Sequence, residues 1–111
     1  MDNQDLDAAT ITNMSLLMRT RQLSPVELTE ATLDRIASLN PKLHAYTTLT
    51  AESALFRARQ AETEISQGIY HGPLHGIPYS LKDLVDTNGI RTTYGYRSHQ
   101  DHVPRHSATI Y

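Results

Sequence analysis

The stretch that decides the fold lies late in the chain, where residues 72–95 read GPLHGIPYSLKDLVDTNGIRTTYG. Residues 72–78 hold two glycines and two prolines, which are turn signals. Residues 79–82 are predicted to form a short strand, since Pro78 stands where a strand begins, a position that tolerates proline. Residues 86–89 are predicted to form the turn that ends it. If helices flank this strand, it lies inside a sheet with both faces covered.

Glycine divides the chain into two parts. Residues 1–67 contain none, and all five glycines lie between residues 68 and 95. Because glycine destabilises helices and suits turns, residues 1–67 are predicted to be helical and residues 68–111 to form a strand-and-loop part. The predicted fold class is α/β, and this chain is expected to be a helix-rich piece with three helices and one or two short strands.

Two helix starts are marked in the first part. Thr10 or Thr12 can cap a first helix, whose apolar residues recur at helical spacing: Ile11, Met14, Leu17 and Met18. A sharper start is Ser24, an N-cap serine that is followed by Pro25 at the first helical position and by a capping-box glutamate, Glu27.

The second helix is predicted to stop at Asn40-Pro41, and residues 43–49 to form a short extended segment. A third helix is predicted from Thr50 or Ala51 to Gln67, with Gly68 as its C-terminal cap. Both helices carry an apolar stripe, which indicates ordinary core packing: Leu28, Ala31, Ile36 and Leu39 in the second, and Ala54, Leu55, Ala58, Ala61 and Ile65 in the third.

Composition excludes several classes of protein. Of the 111 residues, 39% are hydrophobic and 20% charged, as in a globular domain. No apolar stretch approaches the roughly 20 residues that span a bilayer, and the acidic start is unlike a signal peptide. The absence of cysteine excludes disulfides and a thiol nucleophile, and a net charge of −2 gives no reason to expect nucleic-acid binding. We therefore expect a cytoplasmic protein without membrane contact.

Lys82 is the unusual residue of the 72–95 segment. It is one of two lysines in the chain, the other being Lys42, and the remaining bases are arginines. On a covered strand, a lysine must either pair with a carboxylate or lose its proton. Asp83 and Asp86 are near in sequence, although neighbouring strand residues point to opposite faces, which argues against a direct Lys82–Asp83 pair. A lysine that loses its proton becomes a base for catalysis near neutral pH.

The order of these residues resembles the N-terminal motif of the amidase signature family, typically GPLHGIP followed by KD, D, G and TT.G. The resemblance runs through residues 72–83 and 91–95. Weaker similarity continues upstream, in residues 23–28 and 35–46, and downstream, in residues 101–104 and 107–109. The resemblance covers about residues 10–111 and implies that family's fold, a mixed sheet covered by helices.

The resemblance implies a catalytic role for Lys82. In amidase signature enzymes, this lysine is the terminal base of a Ser–cis-Ser–Lys triad, in which one serine relays the proton from the nucleophilic serine. The nucleophile attacks an amide carbonyl, ammonia or an amine leaves, and water hydrolyses the acyl-enzyme. The implied substrate is a small-molecule amide, cleaved without cofactor or metal. Asp83 is interpreted as support for the loop, with tuning of Lys82 as the alternative, whereas Tyr79 and Tyr96 are bulkier than the family's usual residues.

Both serines of the triad are expected outside this chain. In the family they lie far downstream of the lysine, beyond the position of Tyr111, and no serine of this chain matches either one. Ser80 could share a face with Lys82, but is interpreted as a small strand residue. The chain is therefore expected to be an N-terminal fragment, residues 1–111, of an amidase signature domain, and to be inactive alone.

Three other hypotheses remain open. The motif is shared with the A subunit of glutamine-dependent tRNA amidotransferases, whose substrate is bound to tRNA. The chain could also be a non-catalytic remnant that binds a partner through uncovered strand edges and apolar helix faces. A metal site could use three histidines and an acid, although Pro104 would interrupt a helix that presents them: His99, Asp101, His102 and His106. No oligomeric state is predicted.

Overall fold

Helices and turns make up the described part of the chain. A computed structural model describes residue 6 and residues 8–111. Within them, α1 spans Ile11–Arg19, α2 spans Pro25–Leu43 and α3 spans Ala51–Ser66, and a single turn of 3-10 helix follows at Arg97–His99. None of the described helices has the length and apolar character needed to cross a bilayer. The three predicted helices and the helix-rich character are confirmed.

The predicted strands are absent from these residues. Neither residues 79–82 nor residues 43–49 form a strand, and the β structure of the described range is an isolated antiparallel bridge between Thr87 and Ile90. A strand needs the ladder hydrogen bonds of a partner. Residues 79–82 have no such partner among the described residues, and a turn follows directly at Lys82, whose carbonyl accepts from the amides of Leu84 and Val85 at 2.7 and 3.0 Å. The predicted strand at 79–82 is therefore not confirmed in the described residues, the extended segment at 43–49 does not pair as a strand there, and the mixed sheet stays a prediction.

The starts of α1 and α2 are set by side-chain caps. The Thr10 hydroxyl oxygen accepts a hydrogen bond from the Asn13 amide at 3.2 Å. The Ser24 hydroxyl oxygen accepts from the amides of Val26 at 3.0 Å and Glu27 at 3.3 Å. Such caps satisfy amides that have no carbonyl partner in the first turn of a helix. The predicted starts are therefore confirmed, with Thr10 as the cap of α1.

The predicted stop of α2 at Pro41 is wrong, because the helix continues to Leu43. Proline removes its own N–H donor, but its fixed φ is compatible with a helix. The turn that contains Pro41 is closed by the His44 amide, which donates to the Asn40 carbonyl at 2.8 Å. His44 then adopts a left-handed conformation, with φ of 49°, and ends the helix.

Helix α3 ends in a Schellman motif. The Gly68 amide donates to the Ile65 carbonyl at 3.0 Å, and the Ile69 amide donates to the Glu64 carbonyl at 2.9 Å. Gly68 has φ of +83°, which glycine adopts without the steric penalty of a side chain. The predicted bounds of α3 agree with the structure to within a residue, and the glycine cap is confirmed.

The helices build the core of a first contact unit, which contains the described residues up to His44 and Thr50–Pro78. Met18 is fully buried at its centre. Other apolar side chains pack with it: Leu6, Leu23, Leu28 and Ile65, with Met14, Leu17, Ala31 and Ile77 partly buried around them. The predicted stripes therefore supply much of this core, although their outer members Ile11 and Leu39 are 50% and 40% exposed.

Gly76 allows the segment after α3 to approach this core. A Cβ built on Gly76 would lie 2.8 Å from Pro25 Cγ and 3.0 Å from Met18 Sδ, closer than side chains pack. Ile77, the next residue, packs against the core cluster. The missing side chain at position 76 thus brings the start of the 72–95 segment onto the helices.

A second contact unit, Ala45–Leu49 and Tyr79–Tyr111, is built mainly from turns. Thr87, Thr92 and Thr93 are buried in it. Backbone hydrogen bonds between distant turns hold it together: Gly89 N–H to the Pro104 carbonyl at 3.0 Å, Thr92 N–H to the His102 carbonyl at 2.9 Å, and Ala108 N–H to the Asp86 carbonyl at 2.8 Å.

We predict that Gly76→Ala destabilises the protein more than Gly68→Ala does. Both glycines have φ of +83°, so alanine at either position carries about 1–2 kcal/mol of left-handed strain. Nothing lies within 4 Å of a Cβ on Gly68, whereas a Cβ on Gly76 overlaps Pro25 and Met18. That overlap adds about 1–3 kcal/mol. Urea-unfolding midpoints of the two purified variants measure the difference, and equal midpoints would contradict the packing at Gly76.

Candidate active site

Lys82 lies in a surface turn of the second contact unit. The residue is exposed, and its carbonyl oxygen accepts hydrogen bonds from the amides of Leu84 and Val85. A neutral lysine is favoured by burial away from water. Within the described residues, the turn therefore presents Lys82 to solvent rather than on the covered strand that the sequence predicted.

Asp83, next to Lys82, is bound to Thr93. The Thr93 amide donates to Asp83 Oδ1 at 2.7 Å, and the Thr93 hydroxyl donates to Oδ2. Partial burial raises the pKa of Asp83, but the hydrogen bonds from Thr93 and the Gly95 amide and the charge of Arg91 outweigh it and hold the pKa below its usual value. These contacts support the interpretation of Asp83 as a residue that fixes the loop.

Asp86 makes a second contact of this kind. The Tyr94 hydroxyl donates to Asp86 Oδ1, and His102 Nε2 lies 3.3 Å from the same hydroxyl. The hydrogen bond to Asp86, together with desolvation and the negative charge of Asp86, raises the pKa of Tyr94. Both acids that could have paired with Lys82 are thus bonded to other residues, and no ion pair joins Lys82 to a carboxylate of the described residues.

Arg91 connects residues 45–49 to the segment that carries Lys82. Its guanidinium donates to the Gln100 carbonyl, and to the Thr47 carbonyl and the Thr48 hydroxyl at 3.4 Å each. A planar guanidinium has several donors in a fixed arrangement, so one side chain can hold several loops. Arg91 is therefore a main polar connection of the second contact unit.

The remaining candidates near the motif lie at the surface. Ser80 is exposed like Lys82, and no hydrogen bond joins Lys82 to a serine within the described residues. Tyr79 and Tyr96 are 72% and 66% exposed, so their rings add bulk to the surface of the unit rather than to its interior. The described residues thus hold the lysine of the predicted triad without a serine bound to it.

A protein family matches most of the chain, including this site. The family model described as Amidase covers residues 27–111, within which Lys82 and Asp83 lie. The chain belongs to the amidase family. The resemblance of residues 72–95 to the amidase signature is thereby confirmed.

Similar members of the amidase family carry two kinds of name. AmiD of Mycobacterium tuberculosis (strain H37Rv), named as an amidase, is 39% identical over 110 residues, which are 99% of this chain and 23% of the relative. The A subunit of glutamyl-tRNA(Gln) amidotransferase from Dehalococcoides mccartyi (strain 195) is 44% identical over 106 residues, 96% of this chain and 22% of the relative. Its counterpart in Carboxydothermus hydrogenoformans is 39% identical over 93 residues, which are 84% of this chain and 19% of the relative. The chain spans about a fifth of the length of these curated relatives.

The histidine metal site predicted as an alternative is not formed in this amidase-family chain. The described residues bring no group of three potential ligands together from the predicted set: His99, Asp101, His102 and His106. The His99 ring packs edge-on against Tyr94, with ring centroids 5.4 Å apart, and His102 lies beside the Tyr94 hydroxyl. Ring packing around Tyr94 thus occupies two of the histidines.

A different cluster, which the predicted site residues did not include, lies at the end of α3. Glu64, His71 and His75 place one potential ligand atom each within 4.8 Å of one another. Two histidines four residues apart, just after the Gly68 helix cap, are a sequence signal that could have indicated it. Among the described residues, the group of potential metal ligands therefore lies just before the signature segment and within its first residues.

We predict that Asp83 makes the protein less stable in acid. Its pKa lies below the ordinary value of 3.8, so its stabilising contribution is complete above about pH 5 and is lost as the pH falls through the lowered pKa. Asp83→Asn keeps the shape but removes the charge, so it is expected to destabilise near neutral pH, by an amount that shrinks as the pH falls from about 5 through the lowered pKa. Urea unfolding from pH 7 down to about pH 2 measures the difference.

The matched control is Asp101→Asn, since Asp101 is an exposed carboxylate of the same contact unit. Its pH profile is expected to follow that of the unsubstituted protein. A profile of Asp83→Asn that runs parallel to the unsubstituted protein at every pH would contradict the proposed contribution of the carboxylate.

Proposed function

We propose that this chain is the N-terminal part of an amidase that hydrolyses carboxamide bonds, with Lys82 as the base of a Ser–cis-Ser–Lys triad. The observation that carries the proposal is the family match over residues 27–111, because it includes the motif in which Lys82 stands. The relatives named as an amidase and as part of an amidotransferase both align with nearly the whole chain, which supports the same family chemistry.

In this proposal, the chain supplies the lysine and the remainder of the protein supplies both serines. The relay serine passes the nucleophile's proton to the Lys82 amine, which returns it to the leaving ammonia or amine. The loop contacts of Asp83 and Arg91 fix the turn that holds Lys82. The substrate is a small-molecule amide, the reaction uses no cofactor or metal, and the protein is cytoplasmic.

We predict that Lys82→Ala, in the intact protein, lowers kcat for amide hydrolysis by at least about 1,000-fold, since it removes a general base that acts as part of a triad. The control is Lys42→Ala, which removes the other lysine, an exposed residue of the last turn of α2. Steady-state hydrolysis of a set of simple carboxamides, followed by ammonia release, measures both. A loss of less than about tenfold in Lys82→Ala, or an equal loss in both variants, would contradict the assignment.

We predict that residues 1–111 alone do not hydrolyse amides, because a solvent-exposed lysine without its serines has no activated nucleophile. The first measurement is the intact mass of the protein from its source. A mass several times that of 111 residues identifies the longer form that the kinetic test needs. Amide hydrolysis by pure residues 1–111, inhibited by a serine-reactive phosphonate, would contradict the prediction. A native mass equal to that of 111 residues would instead favour a non-catalytic interaction protein.

A second candidate is the A subunit of a glutamine-dependent tRNA amidotransferase, favoured by the 44% identity to such a protein from Dehalococcoides mccartyi. In this case, Lys82 would have the same role, but the released ammonia would pass to an acceptor bound to tRNA. Glutaminase activity of the intact protein, with transfer that requires further subunits and charged tRNA, would favour this candidate. Hydrolysis of simple amides without any partner would favour the amidase.

A further inference from the structure

Glu64, His71 and His75 point their polar atoms at one place beside the end of α3. His71 Nε2 lies 3.2 Å and His75 Nε2 lies 2.9 Å from the same oxygen, Glu64 Oε2. All three ligand atoms lie within 4.8 Å of one another. We propose that these three side chains form a Zn²⁺ site, which is independent of the proposed amide chemistry at Lys82.

The backbone brings the two histidines to the glutamate. The Schellman motif binds the Ile69 amide to the Glu64 carbonyl at 2.9 Å, so the chain turns back across the end of α3 directly before His71. A second turn follows, in which the His75 amide donates to the Gly72 carbonyl at 3.0 Å. Both histidines are thus placed by hydrogen-bonded turns rather than by a free loop.

The spacing of the ligand atoms fits a small tetrahedral ion. Bonds of about 2.0–2.2 Å to nitrogen and oxygen in a tetrahedral site separate the ligand atoms by about 3.4 Å. The two separations from Glu64 Oε2, 3.2 and 2.9 Å, need to open by about 0.2–0.5 Å, and the two histidine nitrogens lie within 4.8 Å of each other, from where the exposed His71 side chain can close on the ion. Two imidazoles and one carboxylate favour zinc over Mg²⁺ or Ca²⁺, which prefer oxygen ligands.

The surroundings hold two of the ligands and leave the third open to solvent. The side chain of His75 is 8% exposed and that of Glu64 is 25% exposed, whereas His71 is 63% exposed. Gln60 donates to Glu64 Oε1 at 3.2 Å, which orients the carboxylate and leaves Oε2 for the ion. An ion held here has its fourth position facing water.

Zinc requires the His75 ring to change its tautomer. In the structure, His75 Nδ1 accepts a hydrogen bond from the His71 amide at 3.2 Å, so the proton of the neutral ring lies on Nε2 and points at Glu64. Zinc on Nε2 moves that proton to Nδ1 and breaks the bond to the His71 amide. The lost hydrogen bond and the His75 Nδ1–H that must find a new acceptor weaken zinc binding by about ten- to a hundredfold, whereas the exposed His71 amide can bind water instead.

The test is Zn²⁺ titration of the intact protein by calorimetry, after removal of metal with a chelator. We expect saturable binding of one ion per chain, which His71→Ala weakens at least about tenfold through the loss of a ligand. His71 is chosen because its exposure lets the substitution leave the fold intact. His106→Ala is the matched control, an exposed histidine outside the cluster, and is expected to bind like the unsubstituted protein.

A second readout separates ligation from weak attachment to surface histidines. The ¹⁵N NMR spectrum of labelled histidine rings is expected to show His75 with its proton on Nε2 without zinc and on Nδ1 with zinc. The proposal is overturned if no saturable binding occurs, if His71→Ala and His106→Ala behave alike, or if the His75 tautomer stays the same in saturating zinc.

Discussion

The close approach of Gly76 to Met18 and Pro25 is the constraint on which the first contact unit depends. The backbone at position 76 lies where any side chain would meet a rigid proline ring and the fully buried methionine. The same residue needs a positive φ of 83°, so two independent requirements fall on one glycine. Through this contact, the signature segment begins packed against the start of α2 and the end of α1, with Ile77 partly buried against the core.

The second contact unit is held by polar side chains where a sheet would use a ladder. Asp83 and Asp86 accept hydrogen bonds from Thr93 and Tyr94, and Arg91 joins its own segment to residues 47–48 and to Gln100. Buried polar atoms destabilise a fold unless they are paired. Among the described residues, no buried side-chain nitrogen or oxygen lacks a partner. The hydrogen bonds of the motif's acids and threonines thus hold this segment in a defined conformation.

Features that depend on neighbouring residues could be predicted from the sequence, and features that depend on distant residues could not. The Ser24 cap and the Gly68 cap are decided within a few residues, so their patterns identified them. A strand at 79–82 depends on a partner elsewhere, which the described residues do not provide. The predicted end of α2, at Pro41, is too early. The His44 amide closes the last turn of the helix although proline has no N–H donor, and that hydrogen bond could not be read from the proline alone. The candidate site divides in the same way: Lys82 is predicted from its motif alone, whereas the contacts of Asp83 depend on how the chain folds back.

The exposure of Lys82 decides what the rest of the proposed enzyme has to do. An exposed ammonium group keeps its hydration, whereas a lysine base needs a dry site that favours the neutral amine. The turn around Lys82 is held by the bonds of Asp83 to Thr93 and of Asp86 to Tyr94. In the proposed enzyme, the segment that carries the two serines therefore has to bury Lys82 as well as bring it the nucleophile. In both proposed reactions, water then hydrolyses the acyl-enzyme, and the two differ in whether the released ammonia passes to an acceptor bound to tRNA.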